Sequence, residues 1–302
     1  MFDPCFPIHF VSTEEVSSLK LVLPHLERMT GARPTIIHPD DLRVTPDPEE
    51  KSGQALWFVS QDKRNTENSP STIIGENGEV LERVHQIGLR LYQSEITSLP
   101  AEIQRQIALR CVNDIRTIFL IHDKRILGVI LQELDALVYK YGVLSTDQAE
   151  ILRRGIVPTI IPGSPELNSL VEKCHKNPRI KDDFIIKPIR DGRTMGVRFG
   201  DEMSPEEWKF TTESCTINHI DHQGAQFVFQ PVVKQPTFEL LPNASNCVQN
   251  SHVVGMYHCV NGSFIGIGTW RTGVKRLCSA QNGDFWLFSV ILSQNMHKDE
   301  TK

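Results

Sequence analysis

Residues 184–197 read FIIKPIRDGRTMGV, and this segment decides the fold. An apolar strand ends at Lys187, and a loop with two glycines and a threonine leads into a second strand. Burying a lysine on an apolar strand costs free energy unless its ammonium group meets a negative charge. A phosphate supplies that charge, and so does a carboxylate of the protein. The segment therefore predicts a strand–loop–strand unit that either binds phosphate or pairs Lys187 with an acidic side chain.

The loop that follows this lysine carries the other groups that phosphate binding uses. Gly192 and Gly196 let backbone N–H groups approach phosphate oxygens closely, and Thr194 adds a hydroxyl donor. Arg190 and Arg193 can each bind further oxygens through two parallel hydrogen bonds. A single glycine motif is weak evidence, so the assignment depends on the segments around it.

The composition excludes several classes of function. The chain has 302 residues, more than a single core usually holds, which predicts two or three lobes. Its net charge of -5 argues against nucleic acid as the main partner, because a duplex binder needs a basic face to displace counterions. The seven cysteines are dispersed without a CxxC pair, which argues against a zinc site and predicts reduced thiols in the cytoplasm. No signal peptide or apolar run of about 18 residues is present, so no membrane span is expected.

The N-terminal part is predicted as a small α/β lobe. Residues 8–12 form a strand, residues 13–30 a helix with apolar positions at helical spacing, and residues 32–39 a second strand. Residues 43–75 are rich in Pro, Asp, Glu, Lys and Ser, which predicts loops at 46–53 and 61–71, on either side of one apolar run at 55–59. A β-α-β opening of this kind is typical of a mixed α/β fold.

Helices dominate the predictions for the middle of the chain. Residues 79–95 and 101–114 are predicted as helices, 116–121 as a buried strand and 123–141 as an amphipathic helix. A helix beginning near Ser145 or Thr146, a strand at 157–162 and a helix opened by Ser164 and Pro165 complete this part.

From residue 182 onward the pattern becomes rich in strands. Five strands are predicted, at 182–189, 196–200, 225–233, 252–260 and 263–270. One helix, 204–212, interrupts them, and Asn261-Gly262 predicts a two-residue hairpin turn between the last two strands. The fold class expected from the whole chain is α/β, with helices and strands partly segregated as in α+β proteins, and a β-rich C-terminal lobe.

The segment around Lys187 resembles the strand–loop–strand unit of the ATP-grasp fold, in which a strand lysine and a glycine-rich loop cover the triphosphate. D-alanine–D-alanine ligases share that arrangement. The closer resemblance is to the glutathionylspermidine synthase-like, circularly permuted branch. It covers roughly residues 116–290, and the order of its segments is more specific than any one of them.

Three further segments carry the resemblance. The sequence HDKRIL at 122–127 resembles the family's helix opening, which implies that Lys124 faces the phosphates, although a surface lysine would look the same. The sequence FVFQPVV at 227–233 resembles the hinge strand, which implies that Gln230 and Val232 contact adenine, although an ordinary core strand fits too. The hairpin at 254–270 resembles one that ends near the reaction centre, which implies a catalytic role for Arg271 or simply an exposed turn arginine.

The resemblance implies an ATP-dependent ligase that joins a carboxylate to an amine through an acyl phosphate. ATP and Mg²⁺ are the implied cofactors, with Lys124, Lys187, Arg190, Gly192, Thr194, Gly196, Gln230 and Val232 binding ATP. The expected lobes are 1–115 on the substrate side, 116–180 as the intermediate lobe and 181–302 as the nucleotide-clamping lobe. Small-molecule carboxylate and amine substrates are the implied partners, with no nucleic acid or membrane.

The Mg²⁺ ligands are not identifiable in the sequence. The only acid and amide cluster near the expected position, 76–79, reads more simply as a turn. The alternative is therefore a non-catalytic or truncated ATP-binding protein that has lost the metal site. A third, weaker reading is a metal-dependent hydrolase that uses His219 and His222, whose spacing fits no standard metal site.

Overall fold

The computed structural model contains two compact units, Met1–Asp123 and Lys124–Lys302. It describes residues 2–13, 17–31, 34–60, 71–112, 114–190, 192, 194–216, 226–241, 247–260, 262–278 and 285–287. The division of the chain into three lobes stays a prediction.

The first unit opens with the predicted β-α-β arrangement. Strand β1 (His9–Ser12) is followed by helix α1 (Ser17–Thr30) and strand β2 (Thr35–Ile37). Both strands run parallel, and β1 pairs on its other side with a third parallel strand, β7 (Ile87–Arg90). The sheet order is therefore β2-β1-β7.

A second sheet in this unit contradicts the helix predicted at 79–95. Four antiparallel strands lie within residues 42–83, in the order β3-β4-β6-β5. The loop predicted at 46–53 is confirmed as the connection between β3 and β4, and the loop predicted at 61–71 lies outside the described residues except for Ser71. The strands are β3 (Leu42–Pro46), β4 (Gln54–Val59), β5 (Thr72–Ile74) and β6 (Val80–Arg83). The apolar run at 55–59 is the centre of the core of this sheet, because Ala55, Leu56, Trp57 and Phe58 are all buried.

Three helices complete the first unit, α2 (Gln93–Ser98), α3 (Ala101–Arg110) and α4 (Ile115–Ile121). Helix α3 confirms the prediction for 101–114. Helix α4 shows that the buried strand predicted at 116–121 is wrong: Asp114 caps the helix by accepting a hydrogen bond from the Arg116 N–H, and the helix contains no buried residue. A short apolar run does not distinguish a strand from a helix by its periodicity.

The helices described in the second unit include three that begin after a predicted serine cap. The helices are α5 (Arg125–Asp135), which continues as a π-helical turn over Ala136–Lys140, α6 (Thr146–Gly155), α7 (Pro165–Lys176) and α8 (Pro205–Ser214). Ser145 and Ser204 each form a capping box, and Ser164 accepts a hydrogen bond from the Leu167 N–H. These bonds satisfy N–H groups that the first turn of a helix leaves unpaired.

The strand–loop–strand unit predicted from residues 184–197 is present. Strand β8 (Phe184–Pro188) lies between β9 (Arg198–Phe199) and β10 (Phe227–Pro231), and both pairs are antiparallel. The strand expected at 157–162 is only a bridge between Ile160 and Phe229. Apolar residues on one face of this sheet pack against α7 and α8, with Leu167, Trp208 and Phe229 in the core.

The C-terminal strands form a separate four-stranded antiparallel sheet in the order β11-β12-β13-β14. Its strands are β11 (Thr237–Leu240), β12 (Gln249–Val260), β13 (Ser263–Gly273) and β14 (Phe285–Leu287). Val260 pairs with Ser263, so the predicted two-residue hairpin is confirmed, and Gly262 has a φ of 78°. The mixed α/β class with a β-rich C-terminal part is confirmed. No helix among the described residues is long and apolar enough to cross a membrane.

Candidate functional site

One face of the β9-β8-β10 sheet carries two of the predicted ATP-binding side chains. Lys187 pairs with Val228 and Ile185 with Gln230, and directly paired residues of an antiparallel sheet share a face. Lys187 and Gln230 are therefore diagonal neighbours on one face. Alternation along the strands places their sequence neighbours on the opposite face, where the core with Trp208 lies. The sheet thus separates a polar face from the helical layer.

The ammonium group of Lys187 lies on this face. Lys187 is half-buried, and desolvation lowers the pKa of its ammonium group. Within the described part of the chain, no hydrogen bond or ion pair reaches this group. A desolvated cation without a counter-charge is unfavourable, and an anionic ligand would relieve the cost.

Lys124 is fixed beside the end of the strand that carries Lys187. Its Nζ donates to the carbonyl oxygen of Pro188 at 2.7 Å, and its backbone N–H donates to the carbonyl oxygen of Ile189 at 2.8 Å. Helix α5 begins at the next residue. The N-terminus of this helix, which attracts anions, is thereby held against the start of the glycine-rich loop.

Two residues that were not singled out in the sequence strengthen this junction. The Arg125 guanidinium donates to Oε1 of Gln226 at 3.3 Å, and the Ile189 N–H donates to the Gln226 carbonyl oxygen at 3.0 Å. Gln226 directly precedes β10, so these contacts tie α5, the end of β8 and the start of β10 together. No motif marks Gln226, because its role depends on strand pairing.

The loop between β8 and β9 is shaped by backbone that favours glycine. Gly196 has a φ of 67°, and a Cβ atom there would lie 2.7 Å from Cγ of Pro188. Thr194 has a φ of 64°, an uncommon value for a residue with a side chain. The Met195 N–H donates to the Gly192 carbonyl oxygen at 3.0 Å, which closes a turn. The roles of Arg190, Gly192, Thr194 and Gly196 toward phosphate stay predictions, and Arg193 lies outside the described residues.

The hinge residues make hydrogen bonds within the protein. Gln230 is buried, and its Nε2 donates to Oγ1 of Thr159 at 2.8 Å. The Val232 N–H donates to the Asp183 carbonyl oxygen at 2.8 Å. An adenine that used the Val232 N–H would have to replace Asp183, whereas the Gln230 amide has a second N–H besides the one given to Thr159. Adenine binding by Gln230 and Val232 stays a prediction.

Two arginines near the end of the β12–β13 hairpin, Arg271 and Arg276, lie in different surroundings. Arg271 lies on β13 in the separate C-terminal sheet, paired with Val254 of β12, and its catalytic role stays a prediction. Arg276, which the sequence did not single out, binds Asp201 through two hydrogen bonds of 2.9 and 3.0 Å. Its guanidinium carbon lies 3.7 Å from the centroid of the Phe199 ring on β9. Arg276 thus connects the end of β13 to β9.

The described residues do not supply a recognisable Mg²⁺ site. No group of three or more His, Cys, Asp or Glu residues that could hold a metal ion occurs among them. The cluster at 76–79 is the turn between β5 and β6, where the Gly75 N–H donates to the Glu79 carbonyl oxygen. His219 and His222 lie outside the described residues.

Two comparisons with known proteins bear on the family of this chain. Residues 1–120 match the AnkG N-terminal domain family. The chain is 34% identical over 292 residues to the protein named ATP-grasp enzyme ankG of Aspergillus thermomutatus. The predicted resemblance to ATP-grasp enzymes is confirmed by this relative, and the closer resemblance to the permuted branch stays a prediction. The alignment covers 96% of this chain but only 61% of that relative's length.

Solved structures of ATP-grasp ligases are similar to this chain only at low TM-scores. D-cycloserine synthetase DcsG has a TM-score of 0.39 at 15% identity, covering 76% of this chain and 60% of that one. D-alanyl-alanine synthetase A from Vibrio cholerae has a TM-score of 0.40 at 11% identity, covering 88% of this chain and 66% of that one. Likeness at this level carries no inference about substrates or mechanism.

Proposed function

We propose that the chain binds ATP on the Lys187 face and takes part in the ATP-dependent joining of a carboxylate to an amine. The observation that carries the proposal is Lys187 itself, a half-buried cation with a lowered pKa and no partner among the described residues. The anchored N-terminus of α5 and the glycine-rich loop stand at the same end of β8. The similarity to an ATP-grasp enzyme supports a nucleotide as the anion.

In the proposed arrangement each group has a separate task. Lys187 and Lys124 hold phosphate oxygens, and the 192–196 loop closes over them with backbone N–H groups. The hydrogen bond from Lys124 Nζ to the Pro188 carbonyl oxygen fixes the position of the ammonium group. Gln230 and Val232 border the position proposed for adenine. Positioning and charge neutralisation supply most of the catalysis in phosphoryl transfer.

The proposed reaction has two steps. A carboxylate oxygen of the substrate attacks the γ-phosphorus of ATP, which forms an acyl phosphate and releases ADP. The amine nitrogen then attacks the acyl carbon, loses a proton and forms an amide as inorganic phosphate leaves. Arg271 is proposed to stabilise the developing negative charge. Mg²⁺ is the proposed second cofactor and neutralises triphosphate charge when bound, but no described residue is assigned to it.

Calorimetric titration of ATP into the purified chain, with and without Mg²⁺, tests the binding step. The informative variant is Lys187→Met, which keeps an unbranched side chain and removes the charge. Lys176→Met at an exposed position near the end of α7 is the matched control. We expect Lys187→Met to weaken ATP binding by about tenfold or more, as for loss of a charge-assisted hydrogen bond. Normal binding by this variant would remove the basis of the proposal.

The same titrations separate catalysis from binding alone. Binding strengthened by Mg²⁺ is the first result expected of a ligase. A separate assay of products should then find that ADP forms only when a carboxylate is present, and that repeated turnover with amide formation also requires the amine. Tight binding that is indifferent to Mg²⁺ and gives no ADP would favour the non-catalytic alternative.

A further inference from the structure

The β12–β13 hairpin extends beyond the strands on either side of it. Among the described residues, β11 pairs with β12 only over Gln249–His252, and β14 pairs with β13 only over Trp270–Thr272. Residues 253–268, here called the arm, therefore belong to a ribbon of two strands in the described part of the chain. An isolated two-stranded hairpin is at best marginally stable in water, so a further strand beside the arm would stabilise it.

Large apolar side chains of the arm are exposed to solvent. Tyr257 pairs directly with Ile267, and Cys259 pairs with Phe264, so these four residues share one face of the ribbon. Tyr257 is 73% exposed, Phe264 63% and Ile267 62%. Neighbouring apolar side chains exposed on one face are typical of a surface that binds another protein.

The arm lies within a segment that has no charged side chains. Residues 240–270 contain no Asp, Glu, Lys or Arg, although these four types make up 23% of the chain. The whole chain has a net charge of -5, so two copies repel each other over much of their surface. Contact through the arm avoids that repulsion. Edge strands that stay unpaired usually carry charged residues, especially lysine, and the arm lacks this protection.

The two strands of the arm differ in regularity. Their register contains two shifts, and in each the extra residue belongs to β13. From the pair Gly255–Trp270 to the pair Tyr257–Ile267, for example, β12 advances by two residues and β13 by three. Such bulges disrupt the hydrogen-bonding pattern of the strand that contains them. Residues 253–260 of β12 have no extra residue and no proline, so the outer edge of β12 is the one suited to pairing with another strand.

We propose that the arm is a dimerisation surface, on which the outer edge of β12 pairs antiparallel with β12 of a second copy of this chain. Antiparallel pairing of a strand with its own copy is self-complementary, as a two-fold axis requires. The two arms together form a four-stranded sheet, which exceeds the three strands needed for independent stability. A two-fold axis at Met256, near the middle of the regular edge, places the two Tyr257 side chains on one face as diagonal neighbours, about 7–8 Å apart.

Sedimentation velocity of the purified chain tests the proposal, and it is done without nucleotide so that the result does not depend on ATP binding. One strand pair with its side chains buries less than the roughly 800 Å² per partner of a standard interface. We therefore expect association in the micromolar range, with dimer replacing monomer between about 1 and 100 μM. Tyr257→Lys should raise the dimer dissociation constant about tenfold or more, because two like charges meet across the pair.

Two further variants make the test specific to the arm. Tyr139→Lys is the matched control, since Tyr139 is a tyrosine of similar exposure, 77%, on the π-helical turn after α5, and it should leave the association unchanged. Tyr257→Glu alone should dissociate as Tyr257→Lys does, whereas an equal mixture of the two should restore the dimer, because opposite charges then meet across the axis. Both positions are exposed, so these substitutions should leave the fold intact.

Three outcomes would overturn the proposal. The first is a wild type that stays monomeric at about 100 μM, which would leave the arm to a different polypeptide. The second is a loss of association in Tyr139→Lys as large as in Tyr257→Lys. The third is a mixture of Tyr257→Lys and Tyr257→Glu that associates no better than either variant alone.

Discussion

Replacing Lys187 by methionine is expected to stabilise the protein when no nucleotide is bound. The ammonium group is half-buried, and its lowered pKa shows that desolvation disfavours its charged form. Methionine fills similar space without a charge. The expected gain is about 1 kcal/mol, at the low end for removing an uncompensated buried charge, because Lys187 keeps some contact with water. For a unit of roughly 150–250 residues this corresponds to a rise in Tm of about 2–4 °C.

The pH dependence of this gain has a definite sign. The folded-state pKa of Lys187 lies below the ordinary value of 10.5, so the unfolded chain binds more protons between these two values. The wild-type free energy of unfolding must therefore rise with pH through that window. Because Lys187→Met has no such group, its advantage over wild type should be largest near neutral pH and should shrink as the pH approaches 10.5.

ATP should reverse the order of stability of the wild type and Lys187→Met. ATP at 100 times the wild-type Kd would stabilise the wild type by about 2.7 kcal/mol, and a variant that binds tenfold more weakly by about 1.4 kcal/mol. Added to its advantage of about 1 kcal/mol without ATP, this places Lys187→Met just below the wild type, and further below it if binding is weakened more than tenfold. Thermal melts of wild type, Lys187→Met and Lys176→Met, each with and without ATP, measure both effects. The reasoning is refuted if Lys187→Met melts below wild type without ATP, or if ATP raises the Tm of wild type and Lys187→Met equally.

Three further predictions concern stability and are checked by denaturant unfolding. Gly196→Ala should lower the free energy of unfolding by at least about 1 kcal/mol more than Gly142→Ala does. Both glycines have a positive φ, but of the two only Gly196 lacks space for a Cβ atom. Equal losses would contradict this. Arg276→Gln should lower the free energy of unfolding by about 0.5–1 kcal/mol at neutral pH. The loss should become smaller in acid, because Arg276 lowers the pKa of Asp201 and the pair is broken once Asp201 is protonated. A loss that does not change with pH would argue against the pair. Burial lowers the pKa of His9 from 6.5 to about 4. The free energy of unfolding of the wild type should therefore fall by about 3 kcal/mol as the pH drops from 6.5 to 4, whereas that of His9→Phe should not. Parallel profiles of stability against pH would show that His9 is not the cause.

Elements with explicit end signals were predictable from the sequence. Ser145, Ser164 and Ser204 each precede a helix and supply its first hydrogen bonds, which local sequence is sufficient to encode. The segment 79–95 was predicted wrongly as a helix because its apolar residues recur at helical spacing. It instead forms two short strands, whose pairing with β4 and β1 is non-local. Charged residues on these strands are stabilised by tertiary pairs, such as Arg83 with Asp47 at 2.7 Å.

The sequence indicated which residues to consider for the candidate site, but not the partners that these residues have in the structure. The sequence identified Lys187 from the cost of a lysine on an apolar strand, and the structure shows that cost as a lowered pKa. That Lys124 would be fixed on Pro188, or that the Val232 N–H would be bonded to Asp183, depends on contacts between distant segments. Arg276 was missed for the same reason, because nothing in its neighbourhood indicates that it binds Asp201.

The register of β10 against β8 decides which face receives the polar residues. A slip of one residue would move the β10 side chains to the opposite face, so that Phe229 would face Lys187 instead of the core. Two sets of contacts oppose such a slip. Phe229 and Ile160 exchange both backbone hydrogen bonds, at 2.9 and 3.0 Å, which holds β10 from its other edge. Beyond the end of the strand, the Val232 N–H donates to the Asp183 carbonyl oxygen and extends the same register. The hydrogen bond between the Val232 N–H and Asp183, which makes this donor unavailable to adenine, therefore also keeps Gln230 on the face that carries Lys187.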